Sequence, residues 1–446
     1  MTNLATLKIS VQKLQQSLYA KAKSELSYKF YSLSDKIYRK DILQTAYLKC
    51  RKNGGSAGVD GETFQDVEQR GLEQWLSTIE QELKTKRYKT QPLRRVWIPK
   101  PDGKKRPLGI PTIKDRVIQA AVCTIIEPIF EADLLPNQYG FRRKMDAKTA
   151  VRQVYYHIAN DRKQEVVDAD LSDYFNTIPH GPLMKCVSRR IVDGYLLSII
   201  KQWLQAPINE VSESKVKHTQ QTTEAKDKNR GTPQGGVISP LLANLYFRRF
   251  LLAWEKFGFK EKWKAHIVNY ADDFVICTFP GKGKQVMNEM RNLMTKLGLQ
   301  INEDKSKIIT LPKGQFDFLG YTFGRFYRKG GKPYLGTRPS RKSIRKVVQA
   351  IHQETNSRWG YSEEKKRVEE VNRILRGWAE YFNQGPVLPI YHNLQKYALR
   401  RVRQWLVRKR KVVSKGCRQY PDEYFYKKLG LIRLPTSRAQ MMKAKA

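Results

Sequence analysis

Apolar residues recur every three or four positions from Ile113 to Phe130, through Val117, Ile118, Ala121, Val122, Ile125, Ile126 and Ile129, and predict an amphipathic helix. Arg116 and Gln119 lie off that stripe, free to meet a ligand or backbone. The same spacing predicts helices near 147–160 and 283–297, and residues 1–50 read as helical around Leu14, Leu18, Ile37, Ile42 and Leu43. It returns after about residue 338. Val368, Val371, Ile374, Leu375, Trp378 and Phe382 form one stripe, and Tyr391, Leu394, Tyr397, Ala398, Val402 and Trp405 form another beyond Gly385-Pro386. With a first helix near 340–354 they predict a small helical bundle.

A different pattern runs from Val268 to Cys277, where β-forming residues flank Asp272 and Asp273. It predicts a hairpin of two buried strands with both carboxylates at its tip. Adjacent carboxylates there repel unless a bound cation offsets them; the other reading is a plain solvated turn. A second short strand, from Glu165, ends at Asp170 and is followed by Tyr174 and Phe175. One Asp at a strand end is commonly an N-cap. One that faces an Asp-Asp hairpin is a metal ligand. Asp170, Asp272 and Asp273 together meet the requirement of two-metal phosphoryl transfer, since hard Mg²⁺ takes oxygen ligands and the Leu171 carbonyl adds another.

Residues 94–111 predict a basic hairpin with Pro101-Asp102-Gly103 at its tip, flanked by Lys100, Lys104, Lys105 and Arg106. Such a finger suits a triphosphate or a template phosphate, and equally a charged tip in water. The glycine-rich stretch 53–61 lacks the Gly-Lys-Ser/Thr ending of a P-loop and reads as a turn close to a backbone. Residues 209–229 are polar and lysine-rich, which predicts a mobile loop. It leads into Gly231-Thr232-Pro233-Gln234-Gly235-Gly236, whose glycines admit close approach of a flat ligand, and a helix beginning near Ser239-Pro240.

Composition narrows the partners. The 446 residues carry 84 Lys and Arg against 42 Asp and Glu, a net charge of +42, and 40% hydrophobic residues suffice for two or three cored domains. Self-repulsion on that scale points to a nucleic acid. Residues 396–446 hold 16 Lys or Arg against two acids, interleaved with Trp405, Tyr420, Tyr424, Phe425 and Tyr426, a mixture suited to phosphate contacts and base stacking. Five scattered cysteines argue against a zinc ribbon or a disulfide framework. No apolar run approaches a membrane span and no signal peptide is evident, so a cytoplasmic protein is expected.

Tyr270-Ala271-Asp272-Asp273, the stretch from Asp170 to Pro179, and Pro233-Gln234-Gly235-Gly236 through Leu242 resemble the reverse transcriptases encoded by group II introns. Arg106-Pro107-Leu108-Gly109-Ile110-Pro111 and Gly58-Val59-Asp60-Gly61 match the same family, and Arg376 to Phe382 resembles its maturase, or X, region. The resemblance runs in order from about residue 45 onward. It implies an α/β (α+β) right-hand polymerase: an N-terminal helical extension (1–45), fingers (46–160), a palm with an antiparallel sheet (161–335), a helical thumb (336–395) and a basic DNA-binding tail (396–446).

The resemblance also implies that Asp170, Asp272 and Asp273, with Leu171, hold two Mg²⁺ ions, Mn²⁺ being able to substitute. Lys100, Arg106, Gln234 and Lys305 would contact the dNTP, and Phe175 would exclude a ribose 2′-hydroxyl. Arg116 and Gln119 would meet the template or the finger interior, Tyr270 would meet template or primer, Leu319 and Gly320 would form the primer grip, and Arg376, Trp378 and Tyr381 would serve intron RNA. The implied partners are group II intron RNA, an RNA template with a DNA primer, a DNA target and dNTPs, without a membrane, in a nucleoid-associated prokaryotic protein. Asn176 departs from the family's more usual Asp, the 209–229 loop is long, and without a Cys-rich HNH module second-strand cleavage is not expected. A splicing maturase with an unused polymerase site, a host-adopted reverse transcriptase, and an RNA-dependent RNA polymerase are the rival readings.

Overall fold

The computed structural model describes residues 4–99, 103, 105–211, 219–328, 330–437 and 439–440. They form two compact units. The first gathers the chain up to Asp146 with Ala169–Phe274 and Lys284–Lys307; the second gathers Ala147–Asp168, Val275–Gly283 and the chain from Ile308 onward.

At the centre of the first unit lies the helix Ile113–Glu131. The Thr112 hydroxyl caps it by accepting from the Asp115 amide at 3.1 Å. Leu4–Ser24, Ser34–Ile37, Lys40–Asn53 and Ser239–Lys256 all pack against it. The helix is therefore buried on nearly every side, not along one stripe, which corrects the amphipathic expectation. Arg116 and Gln119 are 9% and 3% exposed. Having no water to bond, they bond backbone. Arg116 donates from Nε to the Pro111 carbonyl at 3.0 Å and from Nη2 to the Ser56 carbonyl. Gln119 Oε1 accepts from the Val237 amide at 2.7 Å. The glycine-rich turn does lie against backbone, since a Cβ on Gly58 would come within 2.6 Å of Thr112 Cα.

One sheet of this unit has the spatial order Lys105–Ile110, Leu93–Pro99, Ile208–Val211, Thr219–Thr222. The basic hairpin forms as predicted, antiparallel from Arg94↔Ile110 to Pro99↔Lys105. Its tip, with Lys100 and Lys104, falls outside the described residues. The expected loop at 209–229 is structured where described. Ile208–Val211 pairs antiparallel with Thr219–Thr222 and parallel with the start of Leu93–Pro99. Backbone pairing at a sheet edge needs no apolar alternation, so the polar composition concealed it.

Another sheet, with most of its last three strands in the second unit, has the order His266–Tyr270, Asp273–Thr278, Glu165–Ala169, Lys307–Thr310. Phe274 anchors it on an aromatic cluster with Phe247 and Phe250, ring centroids 5.3 and 5.6 Å away.

In the second unit, Phe316–Phe318, Tyr321–Tyr327 and Pro333–Pro339 form an antiparallel sheet. The helices Arg341–Glu354, Glu364–Tyr381 and Leu388–Lys409 pack on one another as the predicted bundle. The basic segment is not a separate arm. Leu388–Lys409 runs through residue 396, and Tyr420, Phe425, Leu429, Leu431 and Leu434 join the bundle core with Trp405. Asn372 and Gln395 clasp the returning chain: Asn372 Oδ1 accepts from the Ile432 amide at 2.9 Å and Gln395 Oε1 from the Leu434 amide at 2.8 Å. The aromatics read as base stackers are thus core for Trp405, Tyr420 and Phe425, because apolar rings gain more from burial than from water. Lys396, Arg400, Arg408 and Lys411 remain exposed.

Candidate active site

The strands His266–Tyr270 and Asp273–Thr278 enclose a tight turn in which Ala271 has φ +59°. A left-handed Ala costs about 1–2 kcal/mol, so the surroundings must impose it. They do so through Asn269, fully buried in an otherwise apolar strand. Its Nδ2 donates across the turn to the Ala271 carbonyl at 2.7 Å. Its backbone pairs on the other side, donating to the Asn137 carbonyl at 3.0 Å and accepting from the Tyr139 amide at 2.9 Å. Gly140 follows, and a Cβ there would overlap the backbone nitrogen of Ala271. Asn244 Nδ2 in turn donates to the Gly140 carbonyl at 2.7 Å, and Gln138 Nε2 donates to the Asn244 carbonyl at 3.1 Å.

The flanking strands are buried as expected, but the carboxylates are not. Asp272 is half-buried, Asp273 exposed, and Tyr270 half-buried beside them. The turn lifts both acids clear of the core that fixes them.

Asp170 directly follows Glu165–Ala169, the strand hydrogen-bonded to the one that Asp273 begins. The segment 300–306 wraps it. Its amide donates to Ser306 Oγ at 3.1 Å, its carbonyl accepts from the Asn302 amide at 2.8 Å, and its Oδ2 receives Lys305 Nζ at 3.1 Å. Leu171 is buried and bridges to Ile301. The charge of Asp272 also reaches the chain just beyond Asp170: with burial and Tyr246 ahead of it, it helps push the Tyr174 hydroxyl well above the usual tyrosine range.

Among the described residues no group of three or more His, Cys, Asp or Glu side chains is placed to hold a metal ion, Asp170, Asp272 and Asp273 included. The donors nevertheless suit a hard divalent cation. Mg²⁺ is typically held by one or two carboxylates, and waters and substrate phosphates complete its shell, so an open arrangement of acids at a strand end is what it takes.

Beyond Asp170 the backbone turns left-handed at Asp173, φ +50°, and places Phe175 in the short helix Tyr174–Thr177. The Phe175 ring is buried edge-on to Tyr174 at 5.8 Å, and its carbonyl accepts from the Thr232 amide at 2.7 Å. The Gln234 loop and the basic hairpin meet next to it. Arg106 Nε donates to Gln234 Oε1 at 2.7 Å, the Gly109 amide to the Gln234 carbonyl at 2.8 Å, and Gln234 Nε2 to Asp173 Oδ1 at 3.3 Å. Gly235 has φ +117°, and a Cβ on it would come within 2.6 Å of the Gly109 carbonyl oxygen.

The first unit thus gathers Arg106, Gln119, Asp170, Leu171, Phe175, Gln234, Tyr270, Asp272, Asp273 and Lys305. Leu319, Gly320, Arg376, Trp378 and Tyr381 belong to the second. There Tyr381 Oη donates to the Leu319 carbonyl at 2.9 Å, and the Gly320 carbonyl accepts from the Ser340 amide at 2.8 Å. Trp378 packs on Phe382 at 4.8 Å, and only Arg376 of the three residues assigned to intron RNA is exposed.

Sequence reasoning missed Asn269, Gly140, Asn244, Ser306 and Asp173. A lone Asn in an apolar strand was a readable signal; Gly140 meeting Ala271 was not, because nothing local announces a contact over that separation.

The profile of the reverse transcriptases (RNA-dependent DNA polymerases) matches residues 98–323. The chain belongs to that family. The group II intron, maturase-specific domain matches residues 342–421, so an RNA-directed DNA polymerase is followed by a maturase-type region. The chain is 32% identical to Protein YkfC of Escherichia coli (strain K12), over 68% of this chain and 82% of that protein. It is 30% identical to the group II intron-encoded protein LtrA of Lactococcus lactis subsp. cremoris, over 61% of this chain and 42% of LtrA. With the putative COX1/OXI3 intron 1 protein of Saccharomyces cerevisiae the figures are 25%, 63% and 38%, so the chain spans well under half of these two relatives. No helix among the described residues is long and apolar enough to cross a membrane.

Proposed function

We propose that this reverse transcriptase transfers deoxynucleotides from dNTPs to a primer 3′-hydroxyl on an RNA template. We propose further that it assists splicing of a group II intron RNA and primes cDNA at a DNA target during retrohoming, in the nucleoid of a prokaryotic cell. The observation that carries the reading is the placing of Asp170 and the Asp272-Asp273 turn at the ends of hydrogen-bonded strands inside the region that the family profile covers. In this assignment 46–160 act as fingers, 161–335 as palm, 336–395 as thumb, and the exposed cations of 396–446 meet DNA.

Asp170, Asp272 and Asp273, with the Leu171 carbonyl, are the ligands for two Mg²⁺ ions or their Mn²⁺ replacements. Bound there, the ions supply Lewis acidity for in-line displacement of pyrophosphate. The protein's own part is positional. Lys305 balances the Asp170 charge through an exposed ion pair, a contact that an arriving cation can displace because such pairs are worth only about 0–1 kcal/mol. Arg106 and Gln234, already joined, offer a guanidinium and an amide to the triphosphate, with Lys100 as a further cation. Phe175 presents a ring where a 2′-hydroxyl would sit. Arg116 and Gln119 act on the template indirectly, by holding the loops that meet it. Arg376 is the contact offered to intron RNA, with Trp378 and Tyr381 fixing its helix against the grip at Leu319-Gly320.

Primer extension on an RNA template tests the reading. Asp272→Asn should abolish dNTP addition with the fold intact; wild-type rates in that variant would overturn the metal-site assignment. Phe175→Ala should raise ribonucleotide incorporation, and unchanged discrimination would remove the gate.

A further inference from the structure

The second unit contains a cleft of about 890 Å³ that the polymerase reading leaves unused. Its walls come from the helix Ala147–Ala159 and the antiparallel strands Tyr321–Tyr327 and Pro333–Pro339. Arg152, Arg328 and Arg338 line it with Tyr155, Tyr327 and Tyr334, and no Asp or Glu is among its lining residues. Tyr155 and Tyr327 leave 38% and 59% of their surface exposed, although rings of that size are usually covered.

The cations are held in place. Arg338 lies over the Phe326 ring at 4.6 Å and donates from Nη2 to Tyr334 Oη at 3.0 Å and to the Tyr327 carbonyl at 3.3 Å. Arg152 donates to Thr149 Oγ1 at 2.9 Å. Two buried atoms of the wall, Thr337 Oγ1 and Arg338 Nε, have no hydrogen-bond partner.

We propose that this cleft takes an unstacked base of a single-stranded RNA, with the tyrosines against the base and the arginines on the flanking phosphates. The chemistry selects the ligand. Every base offers a π-face to an exposed ring, and guanidiniums fixed beside rings suit the phosphates on either side. A duplex keeps its bases stacked and has none to insert. The site also stands apart from the proposed grip. Tyr327 lies at the opposite end of its strand from Gly320, and six residue steps at ~3.3 Å each separate it from Tyr321 by about 20 Å. The inference rests on the chain being an RNA-handling enzyme, but not on its polymerase chemistry.

The test uses the full chain and a 12-nucleotide RNA carrying one 4-thiouridine. Photo-crosslinks should map to peptides holding Tyr155 or Tyr327, and should weaken when unlabelled single-stranded RNA competes but not when the same length of duplex does. The variant Arg152→Glu/Tyr155→Ala/Arg328→Glu changes exposed side chains only. It should bind the oligonucleotide at least tenfold more weakly and extend a pre-annealed primer at the wild-type rate. The milder Tyr327→Trp, which keeps a ring, should retain binding. Crosslinks confined to other peptides, unchanged affinity in the triple variant, or equal competition by the duplex would overturn the proposal. A wild-type chain that crosslinks as described but extends no primer would instead count against the proposed polymerase function alone.

Discussion

The turn carrying Asp272 and Asp273 and the loop carrying Gln234 have neighbouring proposed roles but are held by different means. Behind the turn the bonds are buried: Asn269 holds the Ala271 carbonyl, Asn244 that of Gly140 and Gln138 that of Asn244. The Gln234 side chain is held by exposed contacts, to Arg106 on one side and Asp173 on the other. Carboxylates that must meet an ion within a fraction of an ångström need a rigid seat. Groups that grasp a flexible triphosphate can form their geometry on the ligand. Changes at the turn should therefore damage both folding and rate, and changes at the loop should damage affinity alone.

Gly140→Ala probes the rigid side most severely. Its methyl must push the Ala271 backbone aside, and a displacement near 1 Å at reacting groups lowers the rate about 100-fold. Single-turnover extension should show that loss with a lowered melting temperature; a stable, fully active variant would mean that the turn adapts freely. Asn269→Ala comes next. It strips the Ala271 carbonyl of its buried donor and should cost about 1–3 kcal/mol in denaturant unfolding, with a slower chemical step.

On the other side of the comparison, Gln234→Ala should leave stability within about 0.5 kcal/mol, as exposed substitutions do, while raising KM for dNTP several-fold at little change in kcat. A destabilised Gln234→Ala protein would erase the distinction.

The smallest effect concerns pH. His180 Nε2 is 2.7 Å from the Gly231 carbonyl, and burial lowers the pKa of the imidazole below its ordinary 6.5. The unfolded chain then takes up a proton first as the pH falls, so stability present above about 6.5 is lost on acidification below it. The melting temperature should drop between pH 7 and 5, and His180→Gln should flatten that slope.

Much of this was legible in the sequence where chemistry and pattern coincide. Asp272-Asp273 between apolar runs, Asp170 at a strand end, the basic hairpin and the helical stripes of the bundle all declare themselves locally. The helix Ile113–Glu131 was visible but its surroundings were not, since a periodic stripe cannot show that other helices also cover the opposite side. Arg116 and Gln119 read as free for a ligand or backbone, and the fold settles on backbone, with the Ser56 carbonyl and the Val237 amide brought in from distant chain. The basic segment misled because rings among lysines look alike whether they stack on bases or fill a core. Trp405 already stood in the stripe that predicts the bundle, whereas Tyr420 and Phe425 are settled by the tertiary fold alone.

Asp170 and Asp272 are proposed to act as one centre. This is tested most directly by single-turnover extension with Asp170→Asn, Asp272→Asn and the double variant, because groups that work as a unit are strongly non-additive. Each single variant should lose about as much rate as the double. Partial losses that multiply in the double variant would contradict it.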